Sequence, residues 1–270
     1  MKAALVQMYC PWGERERTLE RIEHYCTMAR AAGAELVLFP ELTVGGIFKH
    51  PDVAAIAETS DGPSVRFVSA LASRLGVAVG FGFSERARPL PRNAYCLIDP
   101  DGKTVALYRK NFIPRLEVPF WQGGTERPIF ELLGRKMGVA ICWDGTQKEL
   151  LADYAARGVE IMLMPHAWDS DPLDSQGREL QYNTVAELIA LERSGNLGWW
   201  KSYSRMRDYF FDYVPVYATE FNYTACFINQ TGQPHRCIRF VGPTFVANSN
   251  GIIVAESDSE REQVVYADLA

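Results

Sequence analysis

The feature that most constrains this chain is an alternation. Short apolar, β-rich runs take turns with charged stretches whose apolar residues recur at helical spacing. AALVQMYC (3–10) and ELVLFPE (35–41) read as buried strands. Between them Leu19, Ile22, Cys26 and Ala29 fall on one face of a helix with a period of about 3.6 residues. A second helix follows at 64–76, with Val65, Val68, Leu71 and Leu75 inward. VAVGFGFSE (77–85) and NAYCLIDP (93–100) are strands, and Asp101-Gly102 supplies a hairpin turn into VALYRK. KMGVAICWD (136–144) is another buried strand, followed by a helix at 147–157 and the strand EIMLMPH at 160–166. NYTACFINQ, FVGPTFVANS and IIVAES return to strand character near the end. This is the pattern of an α/β protein in layers, expected as a single domain over 1–270.

The bulk chemistry narrows the partners. A net charge of −5 and no basic patch interleaved with aromatics argue against nucleic acid or an anionic membrane. The opening MKAALVQMYCPWGE holds too short an apolar run for a signal peptide. No run approaches the roughly 18 apolar residues of a membrane span. A cytoplasmic protein is therefore expected. The six cysteines Cys10, Cys26, Cys96, Cys142, Cys226 and Cys237 lack CxxC or other metal spacing, so neither zinc nor a disulfide framework is expected.

Three residues at strand ends carry chemistry. Cys142 stands near the end of an apolar strand, and Thr146 with Glu149 spells a capping box that predicts a helix start at 146. A thiol there faces the positive end of a helix dipole, which favours thiolate, and lies beside backbone N–H groups able to bind an oxyanion. Glu41 follows LVLFP where a strand gives way to a glycine-containing loop. Lys110, in LYRKNFIPR, lies just past another strand, and a lysine near a cysteine can hold an oxyanion. Taken singly, Cys142 also reads as a core thiol, Glu41 as a solvated loop acid and Lys110 as a surface lysine.

Together, FPE, YRKNFIP and GVAICWD in that order resemble the carbon–nitrogen hydrolase (nitrilase) superfamily, in its amidase-like branch. The resemblance continues through ELLADYAARGVEIMLMPHAW, YATEFNYTACFINQTG (with Asn222, Asn229 and Gly232 at matching points) and the closing hairpin GPTFVANSNGIIVAES. It implies an α-β-β-α sandwich and a Glu–Lys–Cys triad. Cys142 is then the nucleophile, Glu41 the general base and later acid, and Lys110 the oxyanion binder with the Trp143 backbone N–H. No cofactor or metal is required. The implied substrate is a small-molecule amide or carbamoyl amide, and the implied assembly is a homodimer or higher homo-oligomer. Glu117, in RLEVPFWQGG, matches a second glutamate that many amidases of this family carry. Its expected role is to orient Lys110 or the substrate amide.

The chain also departs from that pattern. Gly145-Thr146-Gln147-Lys148-Glu149 replaces an aromatic-Pro-Glu after CWD, leaving Glu149 as either the family's glutamate or a capping residue. His166 stands where small or amide residues are common. It is read as shaping the pocket, against the alternative of a Cys–His thiol hydrolase of another fold. Trp143, Trp121, Trp168 and Phe120 flank the nucleophile segments and are candidates for the pocket wall. The aromatic-rich stretch at about 169–218 is longer than the family's usual connection; a lid, a subunit contact and extra helical packing are the readings it admits. Lys201, Arg205 and Arg207 within it bind a substrate carboxylate only if the segment folds inward. Two other functions compete: a nitrilase using the same three residues, and an inert scaffold that kept the fold. Asp144 after Cys-Trp tilts toward amide hydrolysis.

Overall fold

A computed structural model describes residues 1–46, 51–170, 199–235 and 238–269, with scattered positions between 171 and 198. The strands run β1 Lys2–Gln7, β2 Leu36–Leu38, β3 Ala78–Glu85, β4 Arg92–Ile98, β5 Thr104–Arg109, β6 Phe130–Leu132, β7 Arg135–Val139 and β8 Ile161–Pro165. They continue with β9 Pro172–Leu173, β10 Trp199–Trp200, β11 Thr224–Ile228, β12 Thr231–His235, β13 Ile238–Val241, β14 Phe245–Ala247, β15 Ile253–Glu256 and β16 Gln263–Asp268. Two six-stranded sheets form, in the orders β16-β1-β2-β3-β4-β5 and β15-β14-β11-β8-β7-β6. Each has a parallel centre, β1-β2-β3 in one and β7-β8-β11 in the other, flanked by antiparallel strands. The parallel centres are where the sequence reads as continuous apolar runs, because both faces of those strands are buried.

Strand alternation sorts the side chains into layers. In β1, Ala3 and Leu5 join Leu36, Leu38, Val139, Leu163 and Ile228 in the seam between the sheets. Ala4 and Val6 point the other way, against Leu19, Ile22, Cys26 and Ala29 of α1 (Arg15–Ala31) and Val65, Val68 and Leu71 of α2 (Pro63–Leu75). The outer face of the second sheet, Met162, Met164, Ala225 and Phe227, meets Leu150, Leu151 and Tyr154 of α3 (Lys148–Ala156). The expected α-β-β-α sandwich is the observed architecture.

Two local expectations change. The capping box does not form: α3 begins at Lys148 with Gln147 before it, Thr146 Oγ1 instead donates to the Trp143 carbonyl at 2.8 Å, and Glu149 is exposed. The cause is a one-turn 3₁₀ segment, Cys142–Thr146, that occupies the chain before the helix starts. The aromatic stretch is also clearer. Its helices Tyr203–Phe211 and Val214–Glu220 bury Met206, Phe210, Val214 and Ala218 against the second sheet as outer-layer packing. Arg207 does not turn inward; it lies 4.1 Å over the Phe211 ring and is bonded to Glu256. Arg205 is exposed, and the rest of the stretch up to 198 falls largely outside the described residues.

Candidate active site

The site lies where strands of both sheets end beside one another. In open sheets the carboxyl ends of parallel strands are where crevices form. From the first sheet, the chain leaves β2 through Phe39 and Pro40 to Glu41, and leaves β5 directly into Lys110. From the second, it leaves β7 into Cys142 and β8 into His166.

Each side chain is held by a local device. The Glu41 turn packs on β3 so closely that a Cβ at Gly82 would stand 2.3 Å from the Leu42 nitrogen. Only a glycine permits this approach. Tyr95 Oη donates to the Phe39 carbonyl at 2.8 Å and Gln230 Nε2 to the Glu41 carbonyl at 2.7 Å, fixing both sides of the turn. Lys110 is fixed at its backbone by the Asn93 carbonyl, 2.9 Å from its nitrogen. Cys142 has φ 49°, a left-handed conformation that a residue with a Cβ adopts at a cost of about 1–2 kcal/mol. That strain turns the sulfur-bearing residue sharply out of the strand.

The charged groups meet in a closed cluster. Lys110 Nζ lies 2.9 Å from Glu41 Oε1 and 3.1 Å from Glu117 Oε2, and all three side chains are buried. Glu41 Oε1 also accepts from Asn93 Nδ2 at 2.6 Å, and Oε2 accepts from the Ala167 amide at 2.6 Å. Burial alone would pull the lysine down, but the charges of Glu117 and Glu41 outweigh it and hold the ammonium well above its usual range. The Cys142 thiol is pushed well above its usual range, first by burial and then by the Glu41 charge, with Lys110 opposing. Both influences favour the neutral thiol at Cys142, opposite to the helix dipole considered from sequence: a 3₁₀ turn lies between this residue and the start of α3, and the Glu41 charge acts on the thiol.

A third buried acid joins the two halves. Asp144 accepts from Phe112 N at 2.8 Å, Tyr108 Oη at 2.7 Å, and Asn111 N and Ile141 N at 3.3 Å each. Desolvation outweighs these donors and pushes its carboxyl up to about 6. The acid lies between the segment that carries Lys110 and the turn that carries Cys142.

The remaining candidates sit around this core. Trp143 is 40% exposed, its ring 5.9 Å from that of Trp168. Asn229 pins Trp168 by accepting from its amide at 3.0 Å and donating to its carbonyl at 3.2 Å. His166 is fully buried against Phe227. Trp121 is buried behind the Glu41 turn with Leu42 and Ala167, as support rather than open surface. Asn93, Gln230 and Tyr108 had not been singled out by sequence. The signal was available for two of them: Asn93 shares the seam-facing parity of Tyr95 and Leu97, and Tyr108 that of Ala106, so each puts a polar group where a strand should bury an apolar one. Among the described residues, no group of three or more His, Cys, Asp or Glu side chains is arranged to hold a metal, and no helix is long and apolar enough to cross a membrane.

Comparison with known proteins identifies the family and the fold. The sequence profile described as carbon–nitrogen hydrolase matches residues 2–270. An N-carbamoylputrescine amidase of Arabidopsis thaliana is 30% identical over 255 residues, covering 88% of this chain and 76% of its own length. A citrullinase of Francisella tularensis is 27% identical, covering 99% of this chain and 88% of its own length. Among solved structures, an amidase from Nesterenkonia sp. AN1, in a form with acrylamide added to its active-site cysteine, superposes with a TM-score of 0.78 at 21% identity. It covers 100% of this chain and 93% of that one, which establishes the shared fold. This chain belongs to the carbon–nitrogen hydrolase family and is an enzyme of that class.

Proposed function

We propose that Cys142, Glu41 and Lys110, with Glu117, hydrolyse a C–N bond of a small-molecule carboxamide or carbamoyl amide through a covalent intermediate on Cys142. The observation that carries the reading is the buried Glu41–Lys110–Glu117 cluster, whose charges act on a buried cysteine in a strained backbone conformation. Buried charges persist only when they are paired, and such pairings recur at functional sites.

The steps follow from the charges. Glu41 takes the thiol proton as sulfur attacks the carbonyl carbon and the C–S bond forms. The carbonyl oxygen becomes an oxyanion held by the Lys110 ammonium and the Trp143 backbone N–H. Glu41 then returns its proton to the nitrogen as the C–N bond breaks, and ammonia or an amine leaves. Water attacks the thioester or thiocarbamate, giving up a proton to Glu41. The C–S bond breaks, the acid leaves, and the sulfur recovers its proton. Glu117 holds the far side of Lys110, so the ammonium keeps its place while the charge on Glu41 comes and goes. Relatives named for a carbamoyl substrate support including carbamoyl amides in the substrate range.

Ammonia release from matched panels of carboxamides, ureas and nitriles tests this reading. Turnover of amides or ureas, abolished in Cys142→Ala, is expected. Turnover of nitriles alone would replace it with the nitrilase reading.

A further inference from the structure

A cavity of about 380 Å³ opens between Val44-Gly45, the segment 55–59 and the first residues of α1 and α2. That volume lies within the range of small-molecule sites, about 300–1,000 Å³. Neither Cys142 nor Glu41, Lys110 or Glu117 lines it, so the proposed chemistry leaves it unused. Its walls are pinned. Val44 N donates to the Gly82 carbonyl and Glu58 N to the Ser84 carbonyl, each at 2.9 Å, and Arg86 N donates to the Glu58 carbonyl at 2.7 Å. The chain on either side of the cavity is thus fastened to β3 and to the residue that follows it.

The charges that line it are sorted. Arg15 and Glu16 pair with each other at 2.6 Å, their side chains 42% and 75% exposed, and cancel at the rim. Glu58 is the negative pole, only 6% exposed. Its two oxygens accept from the Ser64 amide at 2.8 Å and the Ser64 hydroxyl at 2.7 Å, which fixes the carboxylate and leaves each oxygen a lone pair. Arg15 Nη1 stands 3.7 Å from it, beyond hydrogen-bond reach. Arg86 is the positive pole. Its Nε and Nη2 donate to the Ala57 carbonyl at 3.2 and 2.9 Å, which holds the guanidinium without cancelling its charge. Among the described residues, no carboxylate pairs with Arg86 and Nη1 has no hydrogen-bond partner.

We infer that the cavity binds a small aliphatic amino acid, with its carboxylate on Arg86, its ammonium on Glu58 and its side chain against Val44, Ala55 and Ile56. A guanidinium already clamped through one edge is a preorganised partner for a carboxylate. Glu58 supplies both the charge an ammonium needs and the lone pairs to receive it. A plain carboxylate pairs with Arg86 but sets a second negative charge beside Glu58, and a plain amine makes the reverse mismatch with Arg86. Like charges so placed cost binding, and a molecule carrying both signs avoids that cost at both poles. Two cations and two anions line the cavity, so a zwitterion leaves it neutral.

The test is calorimetric titration of the intact enzyme with L-valine, which has no amide bond to cleave. Saturable binding with Kd below about 10 mM is expected. Isovalerate, which is valine without its ammonium, and isobutylamine, which is valine without its carboxylate, should each bind at least about 10-fold more weakly. Arg86→Gln should weaken L-valine by at least about 10-fold, and it locates the ligand, because Arg86 lies outside the active-site cluster. Glu58→Gln should do the same wherever its melting curve matches wild type, since Glu58 also holds the first turn of α2. Absence of saturation in that range, equal affinity for isovalerate or isobutylamine, or unchanged binding in Arg86→Gln would each overturn the assignment.

Discussion

The Asp144 carboxylate accepts the Phe112 amide at 2.8 Å, and through that contact the segment after Lys110 is tied to the turn of Cys142. Its other oxygen takes Tyr108 Oη from β5 and the Ile141 amide from the end of β7. Lys110 and Cys142 come from different sheets, and this buried acid spans them. The spacing of the reacting groups is thus set by a residue outside the proposed triad.

That acid gives the protein a pH signature. In the unfolded chain an aspartate titrates near about 3.9, whereas Asp144 in the folded protein titrates at about 6. The folded state holds the proton more tightly, so this group's contribution to stability is full below about pH 4 and is lost as pH rises through about 6. The loss is of order 3 kcal/mol at most. Urea unfolding of wild type and Asp144→Asn across this window should give a difference curve that falls with pH. A flat difference curve would show that Asp144 does not titrate there.

Lys110→Ala should destabilise strongly as well as inactivate. It leaves Glu41 and Glu117 buried without their shared cation. Removing one member of a buried ion cluster costs about 3–5 kcal/mol. Lys110→Ala together with Glu117→Gln should recover part of that loss in a denaturation midpoint, without recovering turnover.

Asn93 positions Glu41 through the 2.6 Å bond from Nδ2 to Oε1. Asn93→Leu, alike in branched shape, should lower kcat by about 10- to 100-fold while leaving KM within a few-fold, because the bond orients the base rather than the substrate. The split between kcat and KM separates this role from general loosening of the site, which would move both.

The close packing at Gly82 makes a further prediction. A methyl group there meets backbone atoms of Glu41 and Leu42, which cannot swing aside like a side-chain end. Gly82→Ala should cost about 1–3 kcal/mol by overpacking and displace the Glu41 turn, with a larger loss of rate than of stability. Thermal unfolding and steady-state rates measured on one sample check both parts.

Much of this was legible in the chain because burial leaves a period behind. Helical spacing marked α1 and α2, and continuous apolar runs marked the buried strands β1, β2, β7 and β8. The three strand-end segments were readable because each sets a reactive side chain where a strand run closes. The partners of the site were less legible. Asp144 was read only as a hint about substrate, since nothing local shows that a carboxylate on one sheet will meet the amides of Asn111 and Phe112 on the other. The capping box misled because Thr146 finds a nearer acceptor, the Trp143 carbonyl, once the chain takes a 3₁₀ turn. Only part of what acts on the Cys142 thiol was legible: the dipole of a following helix is a local inference, while the Glu41 charge that opposes ionisation comes from far along the sequence.

The central claim is that Cys142 attacks the substrate carbonyl with Glu41 as its base. Intact-mass and peptide analysis of the enzyme quenched during turnover of an amide or urea tests it most directly. The account predicts an acyl or carbamoyl mass increment on Cys142, absent in Cys142→Ala and formed far more slowly in Glu41→Gln. Undiminished turnover in Cys142→Ala, or the increment on another residue, would contradict it.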